Sequence, residues 1–377
     1  MRFLTADYLF PLDHSPIKNG VLQISREGEI IKVFNNREEA PSERLEIFQG
    51  VISPGFINAH CHLELSHMHG FCKKKKGLLD FINQVNQRDS FSKEKILLSI
   101  ALAEKQMMKN GIVAVGDICN TTDTILQKQK KNLQYYNFIE GFGVKERFAN
   151  QKIKELILMR NQFRDKGLDA TIVPHAPYSV TPKLNNKIMK AFDRKDKLFS
   201  IHMQESKSEN QFFEERKGSL FQWIMQIQGS AKIWSNRQKS IDFLTDLKNQ
   251  KMLLVHNTFA REEDMLDQYY CTCPKANLYI EGVLPDYTIF NYEKLCVGTD
   301  SLASNTSLSI LEELFIIQEN SNYCLDTLLR IGSRNGAEAL GFNTLGTFKV
   351  GKKPGVILIE KLKNLKIQET SKVKKLD

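Results

Sequence analysis

The middle of the chain alternates short apolar runs, typical of strands, with longer segments whose apolar residues recur at helical spacing. This order predicts parallel βα units, because a helix that follows a strand returns the chain to the same end of the sheet. The eight strand-like runs are residues 51–59, 112–118, 133–141, 170–173, 198–202, 252–255, 270–273 and 295–297. Eight successive units predict a closed (β/α)8 barrel of the TIM type, with functional side chains at the carboxyl ends of its strands.

The connections between the strands differ in length and character. Residues 92–110 carry apolar residues at helical spacing, with Ser92 as the predicted N-cap and Gly111 as the end of the helix. A second helix is predicted near residues 146–166. Residues 207–237 form a long connection for a barrel and are rich in aromatic and charged residues, including Trp223 and Trp234. Long loops in compact domains are commonly lids, so we expect this connection to cover the pocket.

Both ends of the chain lack this alternation. Residues 1–50 contain short apolar groups separated by turns, which predicts a small antiparallel sheet. Residues 346–360 give two more strand-like runs joined by a turn that contains Gly and Pro. We therefore predict a small β-sandwich domain formed by residues 1–50 and 344–377, and a catalytic barrel over residues 51–343.

The composition narrows the class of protein. A chain of 377 residues with 41% hydrophobic content can bury a large core. The first ten residues do not resemble a signal peptide, and no apolar run reaches the roughly 18 residues of a membrane helix. Seven cysteines without regular spacing are typical of reduced thiols. These features predict a soluble, cytoplasmic protein.

The net charge of +9 is concentrated in residues 73–76, residues 128–131 and the tail beyond Lys361. Such runs are usually solvated surface, and no nucleic-acid-binding module accompanies them. A positive field would still attract an anionic small molecule. We therefore expect a small-molecule substrate and neither nucleic acid nor membrane as a partner; a homodimer formed through the outer helices is an open alternative.

Two histidines lie where the first predicted barrel strand ends. His60 and His62 are one residue apart, and side chains alternate along a strand, so both imidazoles can reach one ion. His67 and His69 are an alternative pair. They follow no apolar strand, and the sequence favours them as loop or pocket residues.

Further reactive residues follow other barrel strands. His175 follows the fourth strand, His202 ends the fifth, His256 ends the sixth and Asp300 ends the eighth. Because the carboxyl ends of barrel strands meet on one face, these side chains are expected to converge with His60. The sequence therefore predicts a metal site at the mouth of the barrel. Cys271 and Cys273 lie within a predicted strand without a second cysteine pair, which favours core packing.

The motifs NAHCHLE, HAPYSVTP, HMQE, LVHNTF and GTDS resemble the amidohydrolase superfamily, in the branch of cytosine, guanine and adenosine deaminases. The resemblance spans nearly the whole chain. It implies that His60, His62, His202 and Asp300 bind one divalent ion, with Zn²⁺ favoured by the nitrogen and oxygen ligands and Fe²⁺ or Mn²⁺ as alternatives. Binuclear members use a carboxylated lysine at the end of the fourth strand. Here that strand runs into Pro174, which favours a mononuclear site.

The same resemblance implies a role for each remaining residue. Glu205 is expected to shuttle protons to the ring nitrogen and the departing amine. Asp300 is expected to take a proton from the attacking water, and His256 to orient that water and stabilise the tetrahedral intermediate. His175 is expected to contact the substrate ring. Glu64 is expected either to bind ribose hydroxyls or a ring edge, or to have a purely structural role.

The substrate expectation depends on a finer resemblance. HLELSHMHG followed by GLLDFI, and GTDSLASNTSLSILEEL, look like the aminodeoxyfutalosine deaminases of menaquinone biosynthesis. This implies conversion of aminodeoxyfutalosine to futalosine, with Lys145 or Arg147 meeting the substrate's carboxylate. The alternatives are deaminases of S-adenosylhomocysteine, methylthioadenosine, adenosine or guanine, and related chlorohydrolases. A non-catalytic scaffold is disfavoured because every reactive residue of the pattern is present.

Overall fold

The computed structural model describes residues 1–192, 198–247 and 250–376. Its strands are β1 (Arg2–Thr5), β2 (Tyr8–Leu9), β3 (Ile17–Lys18), β4 (Val21–Ile24), β5 (Ile30–Phe34), β6 (Leu45–Ile47), β7 (Val51–Pro54), β8 (Phe56–Cys61), β9 (Ile112–Cys119), β10 (Gln134–Gly141), β11 (Ala170–Pro174), β12 (Phe199–Met203), β13 (Met252–His256), β14 (Tyr269–Thr272), β15 (Leu295–Val297), β16 (Val356–Glu360) and β17 (Lys372–Lys375). Its α-helices are α1 (Leu78–Val85), α2 (Lys93–Lys109), α3 (Ile125–Lys128), α4 (Ala149–Asp165), α5 (Pro182–Ala191), α6 (Lys207–Glu214), α7 (Ser219–Gln228), α8 (Pro274–Ile280), α9 (Ile310–Glu319), α10 (Leu325–Leu329) and α11 (Asn335–Leu340).

Strands β8 to β15 form the barrel. Parallel pairing runs from β8 to β11 and from β12 to β15. The backbone N–H of His202 joins the two halves by donating to the carbonyl of His175 at 2.9 Å. At the other seam the N–H groups of Thr299 and Asp300 both donate to the carbonyl of His60 at 3.1 Å. The eight-stranded (β/α)8 barrel predicted from the sequence is confirmed.

The barrel strands are apolar on both faces because both faces are covered. In β13, Leu253 and Val255 belong to the apolar cluster inside the barrel, whereas Leu254 belongs to the cluster between the strands and the outer helices. A strand enclosed on both sides has no polar face, which is why it appears in the sequence as a continuous apolar run.

The termini form two small sheets with strand orders β5-β4-β1-β6 and β17-β16-β7-β2-β3. Leu4 and Leu22 from the first sheet share one buried cluster with Ile52 and Leu358 from the second. Two pairs, β1 with β6 and β2 with β7, are parallel. The sheets are therefore mixed and not simply antiparallel as the sequence predicted.

The predicted strand at residues 51–59 is in fact two strands that belong to different sheets. β7 pairs with β16 of the terminal sheet, whereas β8 pairs with β9 of the barrel. The chain crosses between them at Gly55, whose N–H donates to the carbonyl of Pro354 at 3.2 Å. A Cβ at Gly55 would lie 2.5 Å from a methyl carbon of Val113, so the close crossing requires glycine. The strand pairing of the terminal sheets thus extends to Pro54.

The C-terminal strands also differ from the sequence prediction. Only one of the two expected runs, β16, is a strand, and it pairs with β17, which the sequence did not predict. β17 has the sequence KVKK, and lysines are typical of edge strands because they discourage further pairing. Its apolar content is too low to identify it as a strand.

The helical predictions are confirmed at their best-marked segments. α2 begins after Ser92, whose hydroxyl accepts a hydrogen bond from the N–H of Lys95, and the following Gly111 has a φ of +77°. α4 occupies most of the predicted helix near residues 146–166. Within the described ranges, no helix has both the length and the apolar composition needed to cross a membrane.

Candidate metal and active site

Three imidazoles and a carboxylate converge at the carboxyl ends of the barrel strands. The Nε2 atom of His62 lies 3.2 Å from Nε2 of His60 and 3.4 Å from Nε2 of His202. Oδ1 of Asp300 lies 3.4 Å from Nε2 of His62 and 3.7 Å from Nε2 of His60. Four atoms placed tetrahedrally at about 2.0–2.1 Å from one zinc ion are separated by roughly 3.3–3.4 Å. The predicted ligand set therefore has the spacing of a single metal site.

The protonation of these imidazoles also suits a cation. Burial lowers the pKa of His60 and His62 well below the ordinary value, and it lowers the pKa of His202 to about 4. The three rings are therefore neutral at physiological pH, as ligation requires. Neutral nitrogens facing one another with a carboxylate beside them fit a divalent cation.

Hydrogen bonds outside the cluster orient its members. Nδ1 of His202 lies 3.0 Å from the carbonyl of His175, so Nδ1 carries the proton and Nε2 is left free for a metal. Oε1 of Glu140 lies 3.3 Å from the same Nδ1. The hydroxyl of Ser304 donates to Oδ2 of Asp300, which leaves Oδ1 facing the histidines.

Two residues of the site have a left-handed backbone conformation. Asp300 has a φ of +53° and His256 a φ of +70°. This region is uncommon for residues other than glycine and costs free energy that the surrounding structure must offset. At Asp300 the offset comes from the seam between β15 and β8, where its N–H is bonded to the carbonyl of His60. Such strain is typical of functional sites.

Gly298 permits the same seam to close. A Cβ at this position would lie 2.6 Å from the carbonyl oxygen of His60 and 2.8 Å from its Cβ. Because the obstacle is backbone, we expect Gly298→Ala to displace His60 and to destabilise the protein by about 1–3 kcal/mol. Metal content and the thermal unfolding midpoint of the purified variant would measure both effects. An alanine variant with full metal content and an unchanged midpoint would contradict this expectation.

Glu205 and His256 lie beside the cluster. Oε1 of Glu205 is 3.6 Å from Nε2 of His256, whose Nδ1 is hydrogen-bonded to the side-chain oxygen of Asn277 at 2.9 Å. Burial raises the pKa of Glu205 well above its ordinary value, and the carboxylates of Asp300 and Glu209 raise it further. A bound cation would oppose this increase. The direction of this shift favours the protonated form of the Glu205 carboxyl group.

His175 lies next to His202. Its ring centroid is 4.7 Å from that of His202, and its Nδ1 is hydrogen-bonded to the hydroxyl of Ser179 at 2.7 Å. Burial lowers the pKa of His175 to about 4. The ring is therefore neutral, and its position is compatible with the predicted contact with the substrate ring.

A cavity of about 730 Å³ opens above these residues, within the size range of small-molecule sites. His62, His175, His202, Glu205, His256 and Asp300 line its floor. Apolar side chains from α1 and neighbouring segments form a wall, namely Leu78, Phe81, Ile82, Val85, Phe142, Phe148 and Trp223. Among the described residues, its wall carries the cations Arg88, Lys145 and Lys152 and the acids Asp89 and Glu155. Arg88 pairs with Asp89 and Lys152 pairs with Glu155, each at 3.7 Å. The cavity thus joins a reactive floor to a mouth that is largely apolar and carries charges of both signs.

The structure distinguishes between the two cations suggested by the sequence. Lys145 lines the cavity, whereas Arg147 is exposed and lies over the ring of the neighbouring Phe148. Trp223, from the long connection that was predicted to be a lid, also lines the cavity. That connection folds as α6, α7 and a short 3₁₀ turn around the buried Trp234. Its role as a lid stays a prediction.

Glu64 is buried behind the cavity wall and does not belong to the described residues that line it. Its Oε2 accepts hydrogen bonds from the N–H groups of Asn120 and Thr121 at 2.9 and 2.8 Å. Its Oε1 pairs with Arg88 at 3.1 Å. Burial raises the pKa of Glu64 to about 7, and Arg88 opposes that increase. This geometry orients Arg88 toward the cavity; a direct contact of Glu64 with substrate stays a prediction.

The alternative histidine pair lies apart from the cluster. His67 is hydrogen-bonded to the carbonyls of Glu64 and Arg88, and His69 is exposed. Cys271 and Cys273 are buried in the cluster inside the barrel, which confirms that they pack in the core.

Sequence reasoning missed Glu140, Arg88 and Asn277. Glu140 ends the third barrel strand, and an acidic residue at that position was the one signal that could have identified it. Arg88 and Asn277 lie in a turn and a helix, and no sequence signal connects them to the site.

Comparisons with known proteins agree with this geometry. Residues 51–376 match the sequence model of the Amidohydrolase family. An adenosine deaminase of Helicobacter pylori is 28% identical over 328 residues, which cover 80% of this chain and 78% of that protein. The solved structure of Helicobacter pylori aminofutalosine deaminase in complex with methylthio-coformycin superposes with a TM-score of 0.83 at 23% identity, over 96% of this chain and 93% of that chain. An adenosine deaminase from Xanthomonas campestris with bound zinc gives a TM-score of 0.73 at 18% identity, over 98% and 86% of the two chains. At these identities the two structures show a shared fold.

Proposed function

The chain belongs to the amidohydrolase family, and from this premise we propose that it is a metal-dependent deaminase that converts aminodeoxyfutalosine to futalosine. The observation that carries the proposal is the cluster of three neutral imidazoles and one carboxylate at the floor of a cavity that also contains Glu205. Relatives that act as adenosine-type deaminases support an adenine nucleoside as the substrate class. The finer choice among adenine nucleosides depends on the mouth of the cavity.

His60, His62, His202 and Asp300 would hold one divalent ion, for which zinc fits the ligand types. A divalent cation at this position supplies a nucleophile at neutral pH by lowering the pKa of water from 15.7 to about 7. Asp300 accepts a proton from the attacking water. His256 orients that water through Nε2, because its Nδ1–H is held by the side-chain oxygen of Asn277.

Glu205 moves the remaining protons. Its raised pKa allows it to donate a proton to N1 of the adenine ring, which makes C6 more susceptible to attack by water. The carboxylate of Glu205 then takes the proton of the new C6 hydroxyl and passes it to the amino group, which leaves as ammonia while the C6 carbonyl of hypoxanthine forms. The proton that Asp300 took from the water returns to Glu205 and restores it for the next turnover. The neutral ring of His175 contacts the base and keeps C6 above the reactive floor.

The mouth of the cavity suits a substituent that is both aromatic and anionic. Phe81, Phe142 and Trp223 provide apolar surface, and Lys145 provides positive charge, whereas Arg88 is already paired with Glu64. Aminodeoxyfutalosine carries an aryl ketone with a carboxylate, so its distal group would use both features. Methylthioadenosine and adenosine have no group that would engage Lys145.

A substrate panel tests the proposal. Purified, zinc-loaded protein is assayed for ammonia release from aminodeoxyfutalosine, methylthioadenosine, S-adenosylhomocysteine, adenosine and guanine, and for chloride release from a chlorotriazine. We expect the highest kcat/KM with aminodeoxyfutalosine. A preference for another adenine nucleoside would retain the deaminase but reassign its substrate. Turnover of guanine or the chlorotriazine in place of every adenine nucleoside would overturn the proposal.

Lys145 provides a sharper test of the distal contact. Loss of a charged hydrogen bond costs about 1.5–3 kcal/mol, so we expect Lys145→Met to reduce kcat/KM for aminodeoxyfutalosine roughly 10- to 100-fold. Its kcat/KM for methylthioadenosine should not change. Arg147→Met is the matched control, because Arg147 is two residues away and outside the cavity wall. Equal losses with both substrates would show that Lys145 does not bind the carboxylate.

A further inference from the structure

A buried ion pair lies between the barrel and the outer helices. One of its members contacts the residue that follows His62 in the chain. The side chains of Lys128 and Asp117 are both 0% exposed. Nζ of Lys128 lies 2.5 Å from Oδ2 of Asp117, 2.6 Å from Oδ1 of Asn137 and 3.2 Å from Sγ of Cys119. The sequence predicted that residues 128–131 form solvated surface, and for Lys128 that prediction is wrong, because these partners satisfy its ammonium inside the protein.

The second oxygen of Asp117 reaches the segment that carries the candidate metal ligands. Oδ1 accepts a hydrogen bond of 2.8 Å from the backbone N–H of Leu63. Leu63 directly follows His62 and begins the 3₁₀ helix Leu63–Met68. In the pairing of β8 with β9, Cys61 lies opposite Asp117. The carboxylate therefore fixes the point at which the chain leaves the barrel after His62.

We propose that Asp117 is a positioning residue for the His60 and His62 pair, and that Lys128 keeps Asp117 ionised for this purpose. An ionised acceptor binds a backbone N–H more strongly and at shorter range than a neutral one. A buried carboxylate without a partner would instead take up a proton. The inference rests on the metal site of the proposed function, but not on the identity of the substrate.

A second buried acid in the same layer shows what a purely structural role looks like. Glu104 accepts hydrogen bonds from Asn132 and Tyr135, both at 2.8 Å, and from Gln127. Gln127 lies in α3, Asn132 in the connection that follows it and Tyr135 in β10. Among the described residues, none of these hydrogen-bond partners of Glu104 lies in residues 60–63, which carry His60 and His62. Glu104→Gln is therefore a matched control for Asp117→Asn.

The experiment measures zinc affinity directly. Metal-free wild type, Asp117→Asn and Glu104→Gln are titrated with zinc in competition with a chromophoric chelator, and exchange of the Leu63 amide is followed by mass spectrometry or NMR. Removing a group that hydrogen-bonds directly to a metal ligand typically weakens metal binding 10- to 100-fold. Asp117 acts one residue further along the chain, through the N–H of Leu63. We expect Asp117→Asn to weaken zinc binding roughly tenfold or more and to accelerate exchange at Leu63. We expect Glu104→Gln to change neither quantity.

A double variant keeps the test valid if Asp117→Asn does not fold. Asp117→Leu combined with Lys128→Met removes both buried charges at similar volume, a replacement that proteins often tolerate. It should fold and should also weaken zinc binding roughly 10- to 100-fold. Zinc affinity within twofold of wild type in every folded Asp117 variant would overturn the inference while leaving the proposed function intact. A wild-type protein that does not bind zinc would overturn both.

Discussion

Replacing Glu205 by glutamine should lower kcat for the adenine nucleoside roughly 10²- to 10⁴-fold, the range that a positioned acid or base contributes. The amide has nearly the same shape but cannot donate a proton to N1 and later pass one to the departing amine. Glu205 is buried at the floor of the cavity, and glutamine leaves no titratable group at that position. Steady-state ammonia release at saturating substrate would measure the loss.

Metal content is the control for this variant. Glu205 is not among the four candidate ligands, so the glutamine variant should bind zinc with the stoichiometry of the wild type. An intermediate kcat with full metal content would reveal a second proton route. A variant that keeps wild-type kcat would refute the assignment of Glu205 as the proton shuttle.

Replacing Asp300 by alanine is the second change with a large expected effect. It removes the single anionic donor from the cluster, and it leaves three neutral imidazoles to hold a divalent ion. We expect metal content to fall steeply and deamination to drop below detection, because water returns toward a pKa of 15.7 when no cation acts on it. Elemental analysis and the ammonia assay on the same preparation would measure both.

Ser304→Ala is a graded comparison for Asp300→Ala. The hydroxyl of Ser304 donates to the oxygen of Asp300 that faces away from the histidines. Its removal leaves the carboxylate in place but less constrained, so we expect a partial loss of activity with metal still bound. Full activity in Asp300→Ala would show that the carboxylate is neither a ligand nor a proton acceptor.

The barrel and the positions of the histidines could be predicted because they depend on local patterns. Enclosed parallel strands appear as continuous apolar runs, and the reactive residues follow those runs directly. The crossing at Gly55 could not be predicted, because apolar residues continue on both sides of it and only the pairing partners differ.

The residues that surround the site were harder to predict, because their contacts join distant parts of the chain. Asn277 meets His256 from a different βα unit, and Arg88 reaches Glu64 from a separate turn. Lys128 lies in a lysine-rich run, and such runs are usually exposed, so nothing in its neighbours revealed its buried partner Asp117. Burial and pairing of charges are properties of the tertiary structure.

The central claim is that His60, His62, His202 and Asp300 hold one catalytic cation. A crystal of the zinc-loaded protein, with diffraction data collected on both sides of the zinc absorption edge, locates that ion directly. We expect a single anomalous peak per chain at about 2.0–2.2 Å from the three Nε2 atoms and the Asp300 carboxylate. A peak bound by other side chains, or none between these four residues, would contradict the account.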